Sequence, residues 1–388
     1  MESKFLLEIS IILVSAKIFG LFSRKFHMPH VVGALIAGIL LGPAVFNILE
    51  KTEMITKLAE IGVLLLMFSA GMETDFNRLR NSLKSSLVIA VIGVVVPLVS
   101  GFAIAMLFGQ DVLRSIFIGL ILTATSISIT VEVLHEMDKL KTKAGTAILG
   151  AAVIDDIIGV ILLSILIGVK NDGVSSAEFG LIFLRIFGFL VFAVIGSIIM
   201  RKLFDALSNK IGNKKRLPIF GLGLCFFMAY LAELYGIAGI TGAYLAGLVF
   251  CSNKAEKYIE RRNDILSYMF FAPIFFISVG LMASFEGLTG ETILFGIFLF
   301  VAAILSKLFG CGLGAFLCKF SKKESFQVGA GMISRGEIAI ILATKGMISG
   351  LLDAHFLSVI IIVVVLTTLI APIFIKFSFS EKEIPSSV

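Results

Sequence analysis

The stretch Thr142-Lys-Ala-Gly-Thr-Ala-Ile-Leu-Gly-Ala-Ala-Val-Ile-Asp-Asp-Ile-Ile-Gly-Val-Ile-Leu-Leu-Ser-Ile-Leu-Ile-Gly-Val169 decides the fold. From Ala144 onward it is apolar, and at ~1.5 Å of rise per residue it is long enough to cross a hydrocarbon layer of ~30 Å. Small residues at Gly145, Gly150, Ala151, Ala152 and Gly159 let neighbouring helices approach closely. Two adjacent carboxylates, Asp155 and Asp156, sit near its middle. Each acid at that depth costs on the order of 2.5–3.5 kcal/mol on insertion scales. Nothing structural requires two of them side by side. Neighbours on a helix are about 100° apart, so both reach one cavity. Two ionised acids repel each other in a low-dielectric cavity, so a cation and protons would compete for them.

The rest of the chain has the same character. It has 388 residues, of which 58% are hydrophobic and 15% charged, against about 25% charged in a soluble domain. We read an all-α polytopic membrane protein with thirteen transmembrane helices, near 5–22, 31–48, 57–73, 85–108, 112–135, 144–168, 178–200, 217–234, 237–252, 264–283, 291–317, 326–348 and 356–376. The chain has no Trp, so the usual Trp interface belt is absent or supplied by other residues. Its cysteines (Cys225, Cys251, Cys311, Cys318) have no metal or redox spacing, and its histidines (His27, His30, His135, His355) fall near helix ends without forming a metal cluster. The first apolar run lacks a cleavage site, so it reads as a span and not as a signal peptide. No resident cofactor is expected. The net charge of +6 does not point to nucleic acid.

Placement of the basic residues sets the expected orientation. Alternate connections carry only Lys4, Lys51, Lys57, Arg114 and Lys170, while Lys17, Arg185, Lys307, Arg335 and Lys345 fall inside spans. All the other Lys and Arg lie in the opposite set of connections. Positive-inside bias then places the N-terminus outside and the C-terminus in the cytoplasm of a cell (inner) membrane.

A repeat recurs at an offset of 209 residues. Gly33-Ala-Leu-Ile-Ala-Gly38 matches Gly242-Ala-Tyr-Leu-Ala-Gly247, Gly71 falls on Gly280, Phe76 on Phe285, Phe117 on Phe326 and Thr125 on Ser334. The offset is an odd number of spans, so the second copy is inverted, as in secondary transporters with a midplane site. Spans 1–6 pair with spans 8–13, and span 7 links them. The hydroxyl run Thr123-Ala-Thr-Ser-Ile-Ser-Ile-Thr130 in span 5 and Ile333-Ser-Arg-Gly-Glu-Ile338 in span 12 occupy equivalent places. Hydroxyls often bond back to their own helix carbonyls. Gly336, set between Arg335 and Glu337, favours the alternative of two crossed broken helices lining a polar cavity. Arg335 and Glu337 also suit an ion pair to the opposing broken helix. Lys307 lies well inside span 11 and needs a partner, for which Asp155 or Asp156 is best placed. Lys17, Glu60, Glu132, Arg185, Glu233 and Lys345 read as helix-end or snorkelling residues.

Together, Val153-Ile-Asp-Asp-Ile157, Thr125-Ser126, Lys307 and Ser334-Arg-Gly-Glu337 resemble the monovalent cation:proton antiporter superfamily, and within it the NapA-type Na+/H+ antiporters of the CPA2 branch. The resemblance covers nearly the whole chain. It implies that Asp156 is the principal carboxylate carrying ion and proton, and that Asp155 pairs with Lys307 when no ion is bound. It also implies that Thr125 and Ser126 lie in an unwound stretch, and Arg335 and Glu337 in the second broken helix. The implied organisation is a homodimer. A scaffold (1–84 and 217–286) would hold a mobile ion-transport core (85–170 and 287–388), with a linker helix in 171–216. The implied activity is electrogenic exchange of Na+ for H+ in pH homeostasis, with Li+ or K+ as further cations. K+/H+ or mixed exchange is the nearest alternative. A Na+-coupled symporter, a channel and an intramembrane aspartyl protease are remote. The protease needs aspartates on separate helices and a Gly-x-Gly-Asp context, which this chain lacks.

Overall fold

The computed structural model describes residues 2–170, parts of 180–200, 217–251, 256–283, 285 and 288–380. In chain order the described elements are α1 (Glu2–Lys25), α2 (His30–Leu41), α3 (Glu53–Glu73), α4 (Phe76–Leu107), α5 (Val112–Thr123), α6 (Ile127–Glu136) and α7 (Lys143–Lys170). Then follow α8 (Leu217–Leu234), α9 (Gly239–Phe250), α10 (Glu256–Leu266), α11 (Ala272–Gly280), α12 (Gly290–Leu317), α13 (Lys322–Gly331), α14 (Glu337–Ile348) and α15 (Ala354–Phe379). Among the described residues, nine helices are long and apolar enough to cross a membrane, and shorter apolar helices accompany them. The chain is an all-helical, multi-pass membrane protein. Large apolar side chains such as Val95, Phe298, Phe309 and Phe377 are exposed on its flank, as a lipid-facing surface requires. The linker region 171–216 lies largely outside the described residues, as do Lys254 and the polar end beyond Ser380.

Local sequence explains where the helices start. Asp75 accepts from the backbone N–H of Asn77 and Arg78, and Asp111 from that of Arg114. Ser321 and Glu324 form a reciprocal capping box, as do Thr289 and Thr292. Such side chains satisfy the first N–H groups, which have no partner within the helix.

The structure departs from the expected spans where backbones pack closest. Span 2 ends early, at Leu41, because Gly42 turns extended. Its glycines lie against other backbones: a Cβ on Gly33 would meet the Phe19 carbonyl at 2.2 Å, and one on Gly38 the Ile277 carbonyl at 2.3 Å. The same contacts recur in the second half. A Cβ on Gly242 would meet the Met228 carbonyl at 2.2 Å, and one on Gly247 the Phe68 carbonyl at 2.3 Å. Span 10 is interrupted by a π-helical turn, Ser267–Phe271. Pro273 follows one residue later, after Ala272. Proline clashes with the carbonyl four residues back, and a wider turn relieves that clash.

Each end of the bundle gathers one set of connections. At one end Arg24 lies 3.9 Å from Glu136, Arg78 donates to the Lys141 carbonyl and Lys143 lies 3.3 Å from Glu324. At the other, Arg114 pairs with Asp353 and Lys170 donates to the Gly350 carbonyl. The stretch Val112–Glu136 is the innermost: 94% of its apolar window is buried, against 33% for α4 and α12.

Candidate functional site

Two interrupted helices meet beside the acid pair. The break between α5 and α6 comprises Ala124, Thr125 and Ser126, and that between α13 and α14 runs from Met332 to Gly336. They hold each other through their backbones. The Ser126 N–H donates to the Ser334 carbonyl at 2.8 Å, and the Ser334 hydroxyl donates back to the Ser126 carbonyl at 2.6 Å. The Thr130 hydroxyl donates to the Gly331 carbonyl at 2.7 Å. A carbonyl freed at the end of one half-helix is thus satisfied by the other. Gly336 is required by this closeness, since a Cβ there would lie 2.5 Å from the Ser126 hydroxyl.

Arg335 is 1% exposed. Its guanidinium donates to the carbonyls of Met332 and Ile333 at 3.2 Å, and to that of Ala303 on α12 at 3.0 Å. Thr368 on α15 donates to the Arg335 carbonyl. Two of these three acceptors lie at the carbonyl end of α13, where helix partial charge is negative, and the third is on α12. This differs from an ion pair to the opposing broken helix. Glu337 opens α14; its side chain lies outside the described residues.

Asp155 and Asp156 lie on α7, 3% and 7% exposed. Lys307, on α12, is fully buried, and its ammonium donates to Asp155 Oδ2 at 2.8 Å. The Thr125 hydroxyl donates to the same oxygen at 2.6 Å. Asp155 Oδ1 is buried without a hydrogen-bond partner among the described residues. Gly93 on α4 leaves room for Cys311, one turn of α12 beyond Lys307: a Cβ there would sit 2.4 Å from Cys311 Sγ and at ordinary contact distance, 3.8 Å, from Lys307 Nζ. The structure thus brings Thr125, Asp155 and Lys307 into direct contact, with Asp156 next along the helix. Ser126 and Arg335 serve the crossing of the breaks.

Sequence reasoning missed two features. Ser334 and Thr130 stitch the two breaks together, which only a three-dimensional contact reveals. Glu132, read as a helix-end residue, is 1% exposed and faces His30 on α2. The spacing of Glu132, His135 and Glu136 on one helical face was the available signal.

A buried ion pair and an unpartnered carboxylate oxygen, where two broken helices meet in a membrane bundle, mark the ion-handling membrane proteins. The chain belongs to the Na+/H+ exchanger family within the monovalent cation:proton antiporter superfamily: the family profile described as "Sodium/hydrogen exchanger, transmembrane" matches residues 11–380. It is 39% identical to the Na(+)/H(+)-K(+) antiporter GerN of Bacillus cereus, over 99% of this chain and 98% of that one. It is 38% identical to a Na(+)/H(+) antiporter of Enterococcus hirae, over 96% and 97% of the two chains. Its fold matches the sodium proton antiporter MjNhaP1 of Methanocaldococcus jannaschii with a TM-score of 0.73 over 96% of each chain, at 19% identity.

Proposed function

We propose that this chain is a secondary antiporter exchanging a monovalent cation for protons at Asp155 and Asp156. The observation that carries the reading is the fully buried Lys307–Asp155 pair, with Asp155 Oδ1 unpartnered, at the crossing of two broken helices. A cation reaching these carboxylates displaces protons from the acids, or displaces the ammonium, which then releases its proton. Cation and proton exclude each other, and that exclusion couples their fluxes. Two acids and one lysine suit two protons per cation, which makes the exchange electrogenic. Thr125 orients Asp155, and Ser126 and Arg335 shape the crossing, beyond which Glu337 opens the next half-helix.

Alternating access follows the elevator scheme, with residues 85–170 and 287–388 moving against a dimeric scaffold of 1–84 and 217–286. Thirteen spans in two inverted repeats suit the packing: Gly38 lies against Gly280, and Gly247 against Gly71, pairs related by the 209-residue offset. The gathering of Arg24, Arg78, Lys141 and Lys143 at one end supports a cytoplasmic placement for that end. The cation is Na+ in the first reading. K+ exchange, alone or beside Na+, is a second reading favoured by similarity to a relative named for both ions.

The test is proton flux in proteoliposomes driven by Na+, Li+ or K+ gradients. Asp156→Asn is expected to abolish exchange, and wild-type rates in that variant would refute the assignment.

A further inference from the structure

A groove of about 580 Å³ runs between α1, α2, α6 and the π turn before α11, toward the end of the bundle where Arg24 and Lys143 sit. One face of α1 forms its long wall: Leu13, Ala16, Lys17, Gly20, Leu21 and Arg24 line it, at the spacing of a single helical face. Met269 of the π turn, Phe276 of α11 and Ala34 of α2 complete the apolar lining. The rim is accessible from the flank of the bundle. Leu21 is 55% and Met269 73% exposed, Lys17 is exposed, and so is most of the Arg24 side chain. The groove is therefore apolar along Leu13, Ala16 and Phe276, and basic from Lys17 to Arg24.

The charges that reach the groove do not cancel. Glu136 is matched by His30, whose ring lies 2.8 Å from it and whose backbone N–H donates to it at 3.0 Å. Glu132 is 1% exposed and faces His30, so it presents almost no charged surface to the groove. His135 is taken by Glu73 at 2.8 Å and stacks on Tyr268. Two cations are left over. Arg24 lies 3.9 Å from Glu136, beyond hydrogen-bond distance, so that carboxylate holds none of its five N–H donors. Lys17 makes no ion pair or hydrogen bond among the described residues. It lies eight residues before the end of α1 at Lys25, about 12 Å at ~1.5 Å per residue. An unpaired ammonium at that depth is costly and calls for an anion. Lys17 and Arg24 are seven residues apart on one face, about 10.5 Å by the same rise. Gly20 lies between them and has no side chain to fill the gap.

We propose that this groove binds one anionic phospholipid from the leaflet at that end of the bundle. Its phosphodiester lies over Gly20, between the Lys17 ammonium and the Arg24 guanidinium. An acyl chain runs from there along Leu13, Ala16 and Phe276. Basic recesses between membrane helices hold acidic headgroups in this way. A soluble phosphate would meet the same two cations but leave the apolar wall uncovered, so the wall favours a lipid. The site shares no residue with the acid pair, and the proposal does not depend on the antiporter reading.

The test is native mass spectrometry of the purified full-length chain in detergent, titrated with dioleoyl phosphatidylglycerol or dioleoyl phosphatidylcholine. The first phosphatidylglycerol is expected to bind about ten-fold more tightly than phosphatidylcholine. Lys17→Gln/Arg24→Gln should bring it down to the level of phosphatidylcholine. Gly20→Leu, which fills the gap and keeps both charges, should weaken it likewise and serves if the charge variant does not fold. Lys322→Gln/Lys323→Gln removes as much charge from the exposed start of α13 and should leave it unchanged. Glu136→Gln, which removes the competing carboxylate, should tighten it. A monodisperse size-exclusion peak shows that each variant folds. The proposal is overturned if phosphatidylglycerol binds no more tightly than phosphatidylcholine, if the folded Lys17→Gln/Arg24→Gln or Gly20→Leu variant binds it as wild type does, or if both double variants weaken it equally. Competition by glycerol 3-phosphate as effective as that by phosphatidylglycerol would assign the two cations to a soluble anion, and would overturn it too.

Discussion

Lys307→Met removes the ammonium while keeping much of the side-chain volume. The structure sets the expected cost. Lys307 is fully buried and Asp155 is 3% exposed, so neither charge has water to fall back on. With the ammonium gone, Asp155 keeps one donor, the Thr125 hydroxyl, and its other oxygen has none. Breaking a buried pair in this way costs about 3–5 kcal/mol, whereas replacing both members can be nearly neutral. In Na+-free micelles, Lys307→Met is therefore expected to lose about 3–5 kcal/mol of unfolding free energy. Asp155→Asn/Lys307→Met should lose much less than the two single variants together. The assay is a double-mutant cycle in reversible denaturant unfolding. Na+ adds a second axis. A ligand held only by the folded state stabilises it by about 2.7 kcal/mol at a hundred-fold excess over Kd. Na+ can take the vacated place without first displacing a lysine, so NaCl should rescue Lys307→Met more than it stabilises wild type, with choline chloride as the ionic-strength control. A single-variant loss under about 1 kcal/mol, strictly additive losses, or equal rescue by choline would refute the reasoning.

Gly336→Ala places a Cβ 2.5 Å from the Ser126 hydroxyl. It is expected to cost about 1–3 kcal/mol as overpacking and to slow exchange in proteoliposomes, with Ser126→Ala giving partial relief. Gly38→Leu and Gly247→Leu each drive a side chain into a facing backbone carbonyl. Both should lose the monodisperse peak on size exclusion to a similar degree, as pseudo-symmetric contacts require. Lys307→Arg should keep the ion pair and the stability of the protein while lowering the charge moved per cation, read from the reversal potential of exchange.

Much of the architecture was open to reading because bilayer physics is restrictive. Apolar runs of a set length must be helices, and Asp155, Asp156 and Lys307 stand out because buried charge in lipid is expensive. The breaks in spans 5 and 12 were readable from Gly336 and from the hydroxyl run. How they are held was not. Ser126 and Ser334 are separated by about two hundred residues of chain, and each looks like any membrane serine. Arg335 likewise gave no sign that carbonyls of its own broken helix and of α12 would take its guanidinium. The early end of α2 was hidden because an apolar sequence continues past Gly42 whether or not the helix does. Glu132 was misplaced for a related reason. It lies near the end of α6, yet the packing of α2 against that end takes it out of water.

The two buried cations divide the work between them. Arg335 occupies the carbonyl end of a half-helix, and a guanidinium does not give up its proton in a protein. It is a fixed charge held by those carbonyls. Lys307 occupies a carboxylate, and an ammonium in a buried site can lose its proton when its partner is taken. On the proposed function, a cation entering at Asp155 would meet a group that can leave as a neutral amine. Binding there would then expel a proton, because the membrane interior does not support an added net charge. The rule that couples the fluxes is on this view a property of which basic residue faces which acceptor. It predicts that exchanging the two residue types would uncouple the site even where the ion pair to Asp155, the carbonyl contacts at position 335 and the fold survive.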